Sequence, residues 1–138
     1  MPTVKEILND TKKRLKEQGI DTYSLDSSLL VSEVTGLTKI QLVTHDRDEV
    51  TEEQINRLEN LVKERLKNKP MQYILGHCEF MGLDFKVTEN TLIPRGDTEN
   101  IVEEVIATIE NSGYNTVLDM CTGTGAIAIS VAHYTKAK

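Results

Sequence analysis

Asp119-Met120-Cys121-Thr122-Gly123-Thr124-Gly125 joins an apolar run, Val117-Leu118, to an apolar segment that begins at Ala126. A carboxylate at the end of a strand, followed by a small-residue loop and a helix, is where α/β proteins hold nucleotide-like ligands. Without a Cβ, Gly123 and Gly125 let the backbone take φ > 0 and lie close to a ligand, and the next helix offers its unpaired N–H groups. Gly123-Thr124-Gly125 with Ala128 also satisfies the G-x-G-x-x-A form of a dinucleotide fingerprint, which leaves a nicotinamide dinucleotide open as the ligand. Asp119 tilts the reading, because a carboxylate ahead of the loop crowds a pyrophosphate but suits a ligand bearing an ammonium group. The alternative is that Asp119 caps a turn and the glycines close it.

The elements that must position this loop change character near Pro70. Before it, Thr3 with Glu6, Thr38 with Gln41 and Thr51 with Gln54 are capping-box signatures, each followed by apolar residues at helical spacing. Ser24 reads as the cap of a further helix in which Leu25, Leu29, Leu30 and Val34 face inward, and Asp46 to Glu49 reads as a solvated loop. Residues 1–69 are therefore expected to form a helical bundle. Beyond Pro70, Glu79 to Val87 alternates in part around Gly82, which predicts a β-hairpin within a 70–96 linker. Asp97 is the expected cap of a helix carrying Ile101, Val102, Val105, Ile106 and Ile109 and ended by Gly113. A strand over 116–120 and a helix over 126–134 follow, so residues 97–138 read as the first part of an α/β domain. Tyr73, Phe80 and Phe85 are expected to pack as an apolar seam.

Composition narrows the partners. The net charge is −6, with 12 basic against 13 acidic residues through position 70 and 4 against 9 beyond it, the wrong sign for a nucleic-acid groove. Two cysteines and three histidines without ligand spacing support neither a disulfide scaffold nor a metal site. With no basic-then-apolar leader and no membrane-length apolar run, the expectation is a cytoplasmic protein with no membrane contact.

Asp119 and its glycine loop resemble motif I of the S-adenosylmethionine methyltransferases. Gln72-Tyr73-Ile74-Leu75-Gly76, Glu79-Phe80, Gly82-Leu83, Phe85-Lys86-Val87 and Leu92-Ile93-Pro94-Arg95-Gly96-Asp97-Thr98-Glu99 resemble the linker and the "LIPRPDTE" element of the release-factor glutamine methyltransferases, the HemK/PrmC family, in family order and spacing. The resemblance implies an N-terminal helical domain, a linking hairpin and the truncated start of a Rossmann-like domain. It also implies S-adenosylmethionine as cofactor and, as substrate, the side-chain amide of the Gly-Gly-Gln glutamine of peptide chain release factors. By the same resemblance Asp119, Cys121, Thr122, Gly123, Thr124 and Gly125 approach the cofactor, and Pro94, Arg95, Thr98 and Glu99 lie beside the pocket. Arg95 and Glu99 there either pair with each other or touch the cofactor.

The family's amide-orienting Asn-Pro-Pro-Tyr does not occur in these residues. No catalytic residue is assigned, and little turnover is expected of this stretch alone. Two positions depart from the pattern: Cys121 stands where the family has glycine, and Gly96 where it has proline. A half-built sheet is further expected to leave an apolar edge open to self-association. A reading of another class makes the bundle a protein-binding module beside a vestigial loop.

Overall fold

Three helices of the N-terminal half begin with the same reciprocal cap. The side-chain oxygens of Thr3, Thr38 and Thr51 accept from the N–H groups of Glu6, Gln41 and Gln54, whose side chains accept from the threonine N–H in return. These caps start α1 (Val4–Glu17), α3 (Lys39–Thr44) and α4 (Glu52–Leu66), and between them run α2 (Tyr23–Thr35) and, after Pro70, a short α5 (Met71–Leu75). The computed structural model describes residues 1–138 and divides into two units, Met1–Leu75 and Gly76–Lys138.

In the first unit, Val4, Ile7 and Leu15 of α1 share a core with Leu30, Val31 and Val34 of α2 and Leu58 and Val62 of α4. Helix α2 differs from expectation. Its N-cap is Thr22 rather than Ser24, and Leu25 stays 48% exposed. The inward face instead includes two polar residues, Asp26 and Ser27, so the buried stripe is turned away from Leu25. Each polar group is satisfied where it lies. Ser27 donates to the Tyr23 carbonyl at 2.6 Å, and Asp26 Oδ2 accepts from Thr22 Oγ1 at 2.8 Å and from Arg65 Nε at 2.9 Å. Pairing and hydrogen bonding offset the desolvation that an isolated buried carboxylate would suffer.

The segment read as a solvated loop has a structural task as well. The Asp48 and Asp46 carbonyls accept from the Val4 and Lys5 N–H groups, both at 2.9 Å, so they serve two of the donors that every helix start leaves unpaired. Opposite them, Arg14 grips Glu59 of α4 through both guanidinium nitrogens.

The second unit opens with the expected hairpin. β1 (His77–Phe80) and β2 (Leu83–Lys86) pair antiparallel, with Phe80 opposite Leu83, and form the whole of the two-stranded sheet. Phe80 and Phe85 meet edge to face at 6.2 Å in a core with Val102, Ala126 and Val131. α6 (Gly96–Ser112) begins two residues earlier than expected: Arg95 is its N-cap and Asp97 lies within its first turn, where a carboxylate interacts favourably with the helix dipole. α7 spans Ala126–Tyr134.

The strand expected over 116–120 is absent. That stretch has no regular structure and ends in a turn at Met120; its backbone is tied to the C-terminal residues by Val117 N–H to the Lys138 carbonyl, beside Lys138 N–H to that of Asn115. A strand needs a neighbour's ladder, and here no strand flanks the segment. Leu118 and Met120 are left 85% and 77% exposed. No helix is long and apolar enough to cross a membrane.

The Arg14 grip makes the first unit acid-sensitive. Its hydrogen bonds hold the Glu59 carboxyl below the ordinary glutamate range. A depressed folded-state value contributes stability that is full above the unfolded value, near pH 4.3, and is lost as pH falls through the folded one. Because Glu59 is 41% exposed, solvent screening limits the effect to at most about 1 kcal/mol. Urea midpoints at pH 7 and pH 3 are expected to show this step in the unaltered chain and not in Arg14→Met.

Candidate functional site

Gly125 is the N-cap of α7, at φ +81°, and a glycine has no side chain with which to cap. A remote carboxylate takes over that task. Asp119 Oδ2 accepts from the Ala128 N–H, in the third position of the helix, at 3.1 Å, and from Thr122 Oγ1 at 2.9 Å. One oxygen thus ties the entry of the loop, its middle and the helix it feeds, while no hydrogen bond engages Oδ1. The loop is closed further by the Gly125 N–H, which donates to the Thr122 carbonyl at 2.9 Å. A side chain on Gly125 is opposed by its backbone conformation, and a Cβ there would stand 2.9 Å from Ile129 Cδ1, which would have to shift.

Loop and upstream motif meet across a cavity of about 170 Å³. One wall is Pro94, Arg95 and Thr98, the other Cys121, Thr122, Gly123 and Thr124, with Phe80, Ile93 and Ile127 among the apolar surfaces between them. The cavity is smaller than the roughly 300–1,000 Å³ of ordinary small-molecule sites, a size that encloses one end of an elongated ligand. Three residues singled out from the sequence lie off its walls. Asp119 stands behind the loop and Gly125 at the helix start, and Glu99 points at the hairpin turn, where its Oε1 accepts from the Met81 N–H at 2.9 Å. Glu99 is therefore not engaged with Arg95. Sequence reasoning treated Phe80 as core and did not single out Met81 or Tyr134, whose hydroxyl donates to the Met81 carbonyl. The Met81-Gly82 pair at the centre of the hairpin was the only sign that this turn needs outside support.

Residues 6–76 match the family model described as the PrmC N-terminal domain. The chain belongs to the PrmC family. It is 41% identical over 133 residues to the release factor glutamine methyltransferase of Clostridium acetobutylicum, an alignment covering 96% of this chain and 47% of that protein. Proteins of the same description from Moorella thermoacetica and Geobacter sulfurreducens are 37% and 38% identical, over 96% and 94% of this chain and 47% and 45% of their own lengths. The chain thus spans about half the length of these PrmC relatives, and the match runs through the hairpin, α6 and the glycine loop as well as the bundle.

Both departures from the PrmC pattern fall where backbone geometry gives them a consequence. Cys121 sits at φ +58°, in the left-handed region that costs a non-glycine residue on the order of 1–2 kcal/mol. Gly96 is the first residue of α6, where proline is favoured. Arg95 before it is already extended at φ −97° and ψ 146°, and a Cβ on Gly96 would meet nothing within 4 Å. Cys121→Gly and Gly96→Pro are each expected to stabilise the second unit, by about 0.5–1 kcal/mol after unfolded-state entropy is counted. Their combination should raise the urea midpoint by the sum of the two, and a lowered midpoint for either would refute the assigned backbone geometry.

Proposed function

We propose that the second unit is the donor-binding start of a Rossmann-like S-adenosylmethionine methyltransferase domain, in a protein that methylates the glutamine side-chain amide of peptide chain release factors. The observation that carries this reading is the meeting of Pro94, Arg95 and Thr98 with Cys121 to Thr124 around one cavity, at the start of α7. The relatives' shared description, release factor glutamine methyltransferase, supports the reaction class and the protein substrate. Asp119, Cys121, Thr122, Gly123, Thr124 and Gly125 are the proposed donor-binding set, with Pro94, Arg95, Thr98 and Glu99 as their support.

An amide nitrogen is a weak nucleophile because its lone pair is delocalised, so such an enzyme gains rate by holding nitrogen and methyl carbon in line. What these residues supply is the donor's half of that alignment. The loop backbone approaches the ligand closely, and the donor's ammonium group, in the part of the ligand that extends beyond the cavity walls, meets the Asp119 carboxylate through the oxygen that no loop hydrogen bond uses. A nicotinamide dinucleotide is disfavoured, because its pyrophosphate would meet that same carboxylate.

Calorimetric titration separates the two ligands. S-adenosylmethionine is expected to bind one to one and NAD to give no heat; the reverse result would sink the proposal. Asp119→Asn keeps an acceptor for Thr122 and Ala128 but removes the charge, and should weaken donor binding about tenfold, as expected for a charge-assisted hydrogen bond. A loss confined to melting temperature would leave Asp119 with capping alone.

Self-association is proposed from the same unit. Leu118 and Met120 are exposed on a segment that pairs with no strand. Sedimentation across the micromolar range should show a dimer that Leu118→Lys abolishes, and a monomer at every concentration would contradict it.

A further inference from the structure

The hairpin turn is Phe80-Met81-Gly82-Leu83, with φ +53° at Met81 and +72° at Gly82. Turns with positive φ at both central positions suit Asn-Gly or Gly-Gly, and methionine is a poor choice for the first. Here the turn is held from outside. The Met81 N–H donates to Glu99 Oε1 on α6 at 2.9 Å, and the Met81 carbonyl accepts from the Tyr134 hydroxyl on α7. Both polar groups of one strained residue are thus tied to two different helices. Gly82 is required by its positive φ rather than by space, since a Cβ there would meet the Tyr134 oxygen at an ordinary 3.4 Å.

One residue before the turn stands Phe80. It is 1% exposed, in edge-to-face contact with Phe85, and is one of the residues that line the cavity with Cys121 to Thr124. Neither Glu99 nor Tyr134 lines the cavity, yet together they fix the strand end from which Phe80 projects. We infer that Glu99 and Tyr134 are positioning residues of the donor pocket, holding the Met81 turn against α6 and α7 and through it setting the Phe80 wall. This rests on the donor-binding reading given above. What Glu99 contributes is a hydrogen-bond acceptor rather than a charge, and the Tyr134 contact, being the more exposed, has the smaller effect.

The test titrates S-adenosylmethionine into the full chain and into Glu99→Ala, Glu99→Gln and Tyr134→Phe, at a temperature where circular dichroism shows all four folded, and follows Met81 amide exchange in each. Glu99→Ala should weaken binding about tenfold and expose the Met81 N–H to exchange. Glu99→Gln should stay within about twofold of the unaltered chain, because an amide oxygen can accept the same bond. Tyr134→Phe should lose about threefold. Donor affinity unchanged in both Glu99→Ala and Tyr134→Phe would overturn the inference. So would a Glu99→Gln defect as large as that of Glu99→Ala, which would mean a direct charge contact with the ligand. Absence of heat with the unaltered chain sinks the donor reading itself, whereas heat that persists undiminished through the variants sinks only this inference.

Discussion

A helix that starts at glycine must find its cap elsewhere, and in the second unit it finds Asp119. Because Oδ2 accepts from both Thr122 and Ala128, the carboxylate spans the loop it precedes and holds the start of α7 in place. The cavity opposite Pro94, Arg95 and Thr98 exists only while that span is closed, since its second wall is the loop itself. Capping uses one carboxylate oxygen and leaves the other without a hydrogen bond.

The two units solve the helix-terminus problem in different ways. In the first, threonine and a glutamate or glutamine three residues on cap each other, and the loop carbonyls of Asp46 and Asp48 serve the start of α1. The reciprocal caps are short-range, three residues apart, whereas the Asp46 and Asp48 carbonyls reach α1 from more than 40 positions along the chain. In the second, the bonds that fix the helices to their surroundings come from afar, Asp119 to α7, Glu99 of α6 to the hairpin and Tyr134 of α7 to the same turn. Left-handed backbone accumulates there as well, at Met81 and Cys121 among non-glycine residues, which is the kind of local cost that persists only where the surroundings over-determine it.

Polar burial in the bundle follows the same logic of satisfied partners. Asp26 lies inside because Thr22 and Arg65 meet its carboxylate, and Arg65 in turn donates to the Lys69 carbonyl at 3.1 Å. Such a pair adds little net stability over an apolar equivalent, but removing one partner would strand a buried charge, so it selects one orientation of α2 against α4.

The capping boxes, the hairpin around Gly82, the αL stop at Gly113 and the bounds of α7 were all legible in the residues, because each depends on interactions within a few positions of the chain. The glycine loop was legible for the same reason. The inward turn of α2 toward Asp26 was not, since a pattern of apolar residues cannot show that an arginine 39 positions away will meet a carboxylate. Nor could local pattern show that 116–120 would not form a strand, because strand formation is a property of the neighbour that supplies the ladder. Glu99 was visible as a residue of interest, but only the fold decided that its partner is a turn 18 positions earlier. Local chemistry settled which groups could act; distance in space, which the linear order does not encode, settled which of them meet.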